Sequence, residues 1–203
     1  MTPALKAALI DAAANSIADH ADELTALDQA IGDGDHGINV KRGFEAIRQE
    51  KDAIVALADD EALHKAGMTL VMKVGGASGP LYGSLLMGMA KAAKAGRDLE
   101  GQVAEGIAMV RKRGKSDVGA KTMLDVLVPV HATLKDHPGL SLAEEIRAIR
   151  QTADEACEAT RDMQATRGRA SFLGERSKGH CDPGATSSRL LINVICDVLE
   201  QQA

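Results

Sequence analysis

Apolar residues return every third or fourth position along eight stretches of the chain, 3–24, 38–57, 61–74, 81–95, 100–112, 121–134, 142–165 and 183–200. That spacing places them on one stripe of an α-helix. Ala, Leu, Met, Lys and Glu fill these stretches, whereas β-branched and aromatic runs bounded by turns are scarce, so helix is favoured over strand almost everywhere. The pattern predicts an all-α fold.

Glycine, proline and small polar residues punctuate the stretches, as "GGASGP" at 75–80, "AGRDLEG" at 95–101, "RGKSDVGA" at 113–120, "KDHPGLS" at 135–141 and "GERSKGHCDPG" at 174–184. Ser141 followed by Glu144 reads as a capping box, and Asp182 before Pro183 as an N-cap with proline at the first helical position. Short connections between helices of similar length make neighbours antiparallel, as in an up-and-down bundle. One long segment, 166–182, lacks periodicity and is rich in Arg, Gly and Ser. Loops of that length are usually functional or disordered.

The 203 residues suffice for one domain with a full core, expected to span 1–203. A formal charge of -5, with only Phe44, Tyr82 and Phe172 able to stack on bases, argues against a nucleic-acid partner. The N-terminus has no basic region ahead of a long apolar run, and no segment reaches the roughly 18 apolar residues of a membrane span, so neither secretion nor membrane insertion is expected. Cys157, Cys181 and Cys196 lack metal-type spacing, and an odd count suits reduced thiols. A cytoplasmic protein is expected.

The stretch "LDQAIGDGDHGINV" carries the sharpest chemistry. Its glycines fit G-x-G-x-x-G, but a dinucleotide fingerprint follows a strand, and the residues before this one read as helix. A phosphate loop would also have no use for three carboxylates. Asp28, Asp33 and Asp35 supply hard oxygen ligands within eight residues. A divalent cation such as Mg²⁺ takes a few carboxylates and completes its shell with water and phosphate oxygens, so the acids would hold the metal and the metal the phosphate. An EF-hand does not fit, because counting from Asp33 puts Phe44 where a bidentate Glu belongs. Read locally, a turn with solvated charges is the alternative.

"VGGASGPLYG" places small residues ahead of a helix, which suits a phosphate or a sugar edge at free backbone N–H groups, or simply a tight turn. "RKRGKSDVGAKT" is not a P-loop, since Met109 stands where the first glycine belongs, and its basic run fits a helix C-terminus. Segment 166–182 offers Arg167, Arg169, Arg176 and Lys178 as charge partners for a transferring phosphoryl group, or as a solvated basic loop. His36 and His180 suit either proton transfer or hydrogen bonding.

Taken in order, "LDQAIGDGDHGINV", "GGASGPLYG", "GAKTMLDVLVP" and "ATRGRASFLGERSKGHCDPGATSS" resemble the nucleotide-binding L subunit of dihydroxyacetone kinases. The resemblance implies an eight-helix antiparallel barrel with ADP or ATP and two Mg²⁺ ions at one end, and with Asp28, Asp33 and Asp35 on the metals. It implies nucleotide contacts at His36, Gly37, Ile38, Asn39, Ala77, Ser78, Gly119, Thr122, Met123, Arg169, Asp182, Pro183 and Gly184, with Arg169 acting on the transferring group. With few aromatics, adenine would lie against aliphatic and Met side chains. The ketose site of this family lies on a separate K subunit. A free-standing L subunit resembles the phosphotransferase-system type, in which ADP stays bound as a coenzyme and is rephosphorylated by an M subunit. Alternatives are an ATP-dependent kinase for dihydroxyacetone or another ketose such as erythrulose, and a non-catalytic nucleotide sensor bound to a transcription regulator.

Overall fold

The computed structural model describes residues 1–136 and 140–202. The middle of the "KDHPGLS" connection lies outside them. Among the described residues there are ten α-helices and no strand: α1 Pro3–Asp19, α2 Ala21–Ile31, α3 His36–Gln49, α4 Lys51–Val55, α5 Asp59–Lys73, α6 Ser78–Lys94, α7 Leu99–Gly114, α8 Leu124–Asp136, α9 Leu142–Ala159 and α10 Pro183–Glu200. Two 3-10 segments, Thr160–Asp162 and Arg169–Ser177, lie between α9 and α10.

Eight of the helices close a ring in which α1, α3, α5, α6, α7, α8, α9 and α10 each pack against the next and α10 returns to α1. The remaining two subdivide stretches that look continuous in the sequence. The first stretch breaks at His20, whose N–H turns back to Ser16 O and Ala18 O and whose ring Nδ1 also meets Ser16 O. The second breaks at Glu50 before the short α4. Apolar spacing runs on through a one-residue break, so it conceals the change of axis.

Side-chain pairs set the direction of neighbours. Asn39 of α3 lies by Gly75 just past α5, while Glu50 just past α3 pairs with Lys65 of α5. Gly79 at the start of α6 lies against Leu70 and Val74 while Gly83 lies against Gly67, and Lys91 pairs with Glu105 while Gly114 lies against Leu81. Arg189 meets Asp154 where Arg150 meets Asp197. Each pairing runs up one helix as it runs down the other, so these neighbours are antiparallel. The N-termini of α3, α6, α8 and α10 open at one end of the ring, where Gly76 lies by Asp35, Ala77 and Met123 line one cleft and Gly184 packs on Met123.

The apolar stripes meet inside. Ile17, Val40, Leu70, Tyr82, Ile107, Leu124 and Leu190, drawn from seven of the ring helices, share one buried cluster. A second, with Val126, Val130, Ala153, Cys157 and Ala185, knits α8, α9 and α10. Full burial of one such aliphatic side chain is worth about 1.5–3 kcal/mol, whereas an exposed ion pair contributes about 0–1. The core therefore holds the ring, and pairs such as Lys51–Asp11 and Lys65–Glu50 adjust its register. At the α6–α7 contact the backbones themselves touch: a Cβ on Gly88 would lie 2.8 Å from Glu105 O.

Helix ends follow local chemistry. Ser141 and Glu144 form the expected capping box, and Asp182 caps α10 ahead of Pro183. The basic run Arg111, Lys112 and Arg113 occupies the last turn of α7, where positive charge meets the negative end of the helix dipole. No described helix is long and apolar enough to cross a membrane.

Candidate functional site

At the open end the chain leaves α2 and folds back on it. Gly32 N donates to Asp28 O at 2.5 Å, and Asp28 Oδ2 accepts from Asp35 N at 2.8 Å and His36 N at 3.1 Å. One carboxylate thus closes the loop and caps α3, a job Asp35 at the N-cap position does not do with its own side chain. Gly32 is needed beside it, because a Cβ there would sit 2.1 Å from Asp28 Oδ1. Gly34 takes a left-handed φ of 77°, which turns the chain so that Asp33 and Asp35 face the same side as Asp28.

One oxygen from each of Asp28, Asp33 and Asp35 lies within 4.8 Å of the others. Like charges this close repel, and water does not fully screen them. The donor set is hard, all oxygen and partly exposed, which fits Mg²⁺ and leaves room for water or phosphate in its shell. Arg169 supplies the nearest protein cation, its Nε 3.0 Å from Asp33 Oδ2.

His36 begins α3 beside this cluster. Its Nε2 lies 2.9 Å from Ser187 Oγ, which lies 2.7 Å from Tyr82 Oη, which in turn reaches Ser188 Oγ at 2.9 Å. Both serines also donate to Gly184 O. This buried chain of hydroxyls joins α3, α6 and α10 just below the open end. Burial lowers the His36 pKa to about 4 against the opposing pull of Asp28, so the ring is neutral at neutral pH. Burial also raises the Tyr82 phenol to about 12.

Opposite the acidic loop, α6 starts at Ser78, three residues before the expected Leu81, because Ser78, Gly79 and Pro80 already adopt helical geometry. Its N-cap, Ala77, has no side-chain hydrogen bond to the first turn, so the N–H groups of that turn face outward. Gly76 brings this turn to Asp35 and Asn39, since a Cβ on it would lie 3.7 Å from both Asp35 oxygens and from Asn39 Nδ2. Beyond it a cleft of about 360 Å³ is lined by Ala77, Pro80, Leu81, Val110, Thr122, Met123, Leu124 and Gly168 among others. Its walls are mostly aliphatic.

The expected helix from 121 begins only at Leu124. Lys121 has a left-handed φ of 62°, Thr122 Oγ1 accepts from Leu124 N, and Asp125 accepts from Gly119 N at 2.5 Å and Thr122 N at 2.7 Å. Gly119 borders a second, more basic cleft of about 430 Å³ with Arg111, Lys115 and Arg167. The two clefts share Ser116 and Arg167. Gly184, at the start of α10, packs on Met123. Asp182 Oδ2 accepts from Ala185 N at 2.7 Å, Pro183 is buried, and burial raises the Asp182 carboxyl to about 7, with Asp125 adding to the rise and Lys121 opposing it.

Segment 166–182 is structured, contrary to its irregular composition: Arg169–Ser177 forms a 3-10 stretch kinked at Gly174. Ala165 and Ala170 pack with Leu173 on Ile31, the last residue of α2, so the arginine-bearing segment rests on the base of the acidic loop. Ser177 Oγ accepts from Ala165 N and donates to Gly174 O. Arg169 stays 71% exposed and reaches over the acids. His180 is exposed on the following turn.

The structure therefore gathers Asp28, Asp33, Asp35, His36, Arg169 and the turn at Gly76 into one mouth, with Ala77, Thr122 and Met123 on the adjoining cleft and Gly184 beside Met123. Gly37 and Asn39 are buried supports, whereas Ile38 is 55% exposed. Gly119 stands apart on the basic cleft. Tyr82, Ser187, Lys121 and Asp125 escaped sequence reasoning. A lone Tyr in an otherwise aliphatic helix and a Lys inside a glycine-bounded turn were the only signals.

The profile of the DAK2 domain matches residues 30–197. The "PEP-dependent dihydroxyacetone kinase 1, ADP-binding subunit DhaL" of Listeria innocua is 44% identical over 85% of this chain and 84% of its own length. The corresponding ADP-binding subunit of Escherichia coli is 42% identical, covering 85% of each. The crystal structure of the dihydroxyacetone kinase from C. freundii in complex with AMP-PNP and Mg²⁺ superposes with a TM-score of 0.79 at 23% identity, over 96% of this chain and 34% of that one. That likeness shows the fold, and this chain spans about a third of that longer kinase.

Proposed function

The chain belongs to the DAK2 domain family, and from that membership we propose that it is the adenine-nucleotide-binding subunit of a dihydroxyacetone kinase, working as a single domain over residues 1–203. The observation that carries this reading is the meeting of Asp28, Asp33 and Asp35 with Arg169 at the mouth of an aliphatic cleft.

Asp28, Asp33 and Asp35 would hold two Mg²⁺ ions, which would supply positive charge against that of the nucleotide's phosphates. The chain's own groups do the rest. Backbone N–H groups in the first turn of α6, at Ser78 and Gly79, hold the diphosphate by the positive end of that helix. Gly184 and Pro183 let α10 approach it, and Asp182, whose ionisation burial opposes, repels it less than a solvated carboxylate would. Neutral His36 and buried Asn39 fix the near wall, with Gly37 allowing α3 to seat on α2. Ile38 borders the mouth. Met123, Thr122 and the Ala77 side of the cleft take the adenine, and Gly119 lines the exit toward Arg167. Arg169 is the catalytic cation: its planar fork stabilises charge on the transferring phosphoryl group, while an acceptor hydroxyl approaches in line from outside.

The acceptor is dihydroxyacetone on a ketose-binding partner chain. The PEP-dependent names of the relatives support a resident ADP that a phosphoryl-donor subunit of the phosphotransferase system recharges in place. Native mass spectrometry of the purified chain tests this. Retention of ADP and Mg²⁺ through gel filtration is expected. Free exchange, with steady turnover on added ATP in the presence of the ketose-binding partner, would move the chain to an ATP-dependent kinase.

A further inference from the structure

Lys121 is the most deeply buried cation of the described chain, at 1% exposure, and it faces none of the clefts. Its Nζ donates to three backbone carbonyls, Met163 O at 3.2 Å, Ser177 O at 2.5 Å and His180 O at 2.7 Å. An ammonium has three protons, so these bonds use all of them. All three acceptors belong to the connection between α9 and α10, and two of them flank the 3-10 stretch that carries Arg169. Backbone bonding adds a further tie nearby, from Thr166 N to Ala120 O.

The backbone at Lys121 is left-handed, a conformation that glycine adopts freely and lysine does not. A glycine there would relax the turn and lose the ammonium. The position thus accepts strain in order to place a charged donor under the segment. Asp182 lies close enough to offset its charge, and Asp182 in turn caps α10.

We propose that Lys121 is a positioning residue for phosphoryl transfer, which sets Arg169 over the acidic loop by holding the base of segment 163–180 through three carbonyls. This rests on the reading of Arg169 as the catalytic cation. The segment is anchored at its base by Lys121 and Ser177 and packs on Ile31 at its middle, while its tip is exposed. A misplaced guanidinium loses its effect steeply with distance, so releasing the base acts at the tip.

Lys121→Met keeps the stem and removes the donors. Hydrogen exchange on the nucleotide-free variant should show amides of 163–180 losing protection while α5, α6 and α7 keep theirs. In single-turnover transfer from the ATP-loaded chain to the ketose-binding partner, Lys121→Met should be slowed about a hundredfold, the scale expected for misplacement of a catalytic group. Affinity for Mg·ADP, read by calorimetry, should fall by less than about tenfold, because the acidic loop and α6 are untouched. The decisive arm is the double variant. Adding Lys121→Met to Arg169→Ala should slow transfer no further than about threefold, since the positioned group is already gone. Ser177→Ala, which loosens the same segment while leaving Lys121 in place, should show the same non-additivity if Lys121→Met fails to fold. Multiplying effects, or unchanged exchange in 163–180, would overturn the positioning role. A wild-type rate in Arg169→Ala alone would instead remove the catalytic assignment on which it rests.

Discussion

Asp182 shows how burial changes the chemistry of an acid at a helix start. Its carboxyl titrates near 3.8 in an unfolded chain and near 7 in the fold, chiefly because it is desolvated. Ionisation is therefore harder in the folded state. Its contribution to stability is full below about pH 4, declines as pH rises toward 7 and is flat above that. His36 slopes the other way, with its folded value of about 4 below the ordinary 6.5, so its contribution is lost as pH falls through that window. Only a difference between variants isolates Asp182. Asp182→Asn keeps a competent cap, and urea denaturation of the nucleotide-free protein should show wild type losing stability relative to it between pH 4 and 7. Parallel profiles would contradict the assignment. Asp33→Asn makes a second test: Mg·ADP affinity should fall at least about a hundredfold, since even groups that only support a metal ligand are worth 10–100-fold. Stability without metal should hold or rise, because lost repulsion outweighs an exposed pair with Arg169 worth about 0–1 kcal/mol. Calorimetry and thermal denaturation read the two effects. The acidic triad was legible in the sequence because its members lie within eight residues of one another. Tyr82, Ser187 and Lys121 were not, because their partners are up to 151 residues away and only the closed ring brings them together.

At the level of the helices, glycine decides how closely neighbours approach. A Cβ on Gly37 would lie 2.0 Å from Ala21 O, so α3 seats on α2 beside the acidic loop only without a side chain. Gly88 makes a similar contact with α7, but it lies ten residues from the start of α6, about 15 Å along the axis from the site. Both Gly37→Ala and Gly88→Ala should cost about 1–3 kcal/mol by overpacking. Only Gly37→Ala should also weaken Mg·ADP binding, by more than about tenfold, while Gly88→Ala leaves it within about twofold. Denaturant titration beside calorimetry separates the two, and equal binding losses would mean that the site senses overall stability and not the seating of α3. Helix existence was legible from periodicity, and so were the capping box at Ser141 and the proline start of α10. The breaks at His20 and Glu50 were not, because a single non-helical residue barely disturbs a 3.6-residue stripe. The 3-10 stretch Arg169–Ser177 was missed because its order comes from Lys121, Ser177 and Ile31, not from its own apolar pattern.

For the molecule as a whole, antiparallel closure brings alternate N-termini to one end, where uncapped N–H groups at α6 face three carboxylates across a narrow mouth. The ring thereby juxtaposes groups suited to phosphate with groups suited to metal. Exposed Ile38 and Phe172 stand at that end, on α3 and on the arginine-bearing segment, and leave it open to an incoming acceptor. Single-turnover transfer tests the central claim most directly: the chain is loaded with γ-labelled ATP and Mg²⁺, freed of excess nucleotide and mixed with the dihydroxyacetone-loaded partner. One labelled dihydroxyacetone phosphate per loaded chain is expected from wild type, with the rate lowered about 10²–10⁴-fold in Arg169→Ala. Label that stays on the nucleotide in wild type, or that transfers equally fast from Arg169→Ala, would contradict the account.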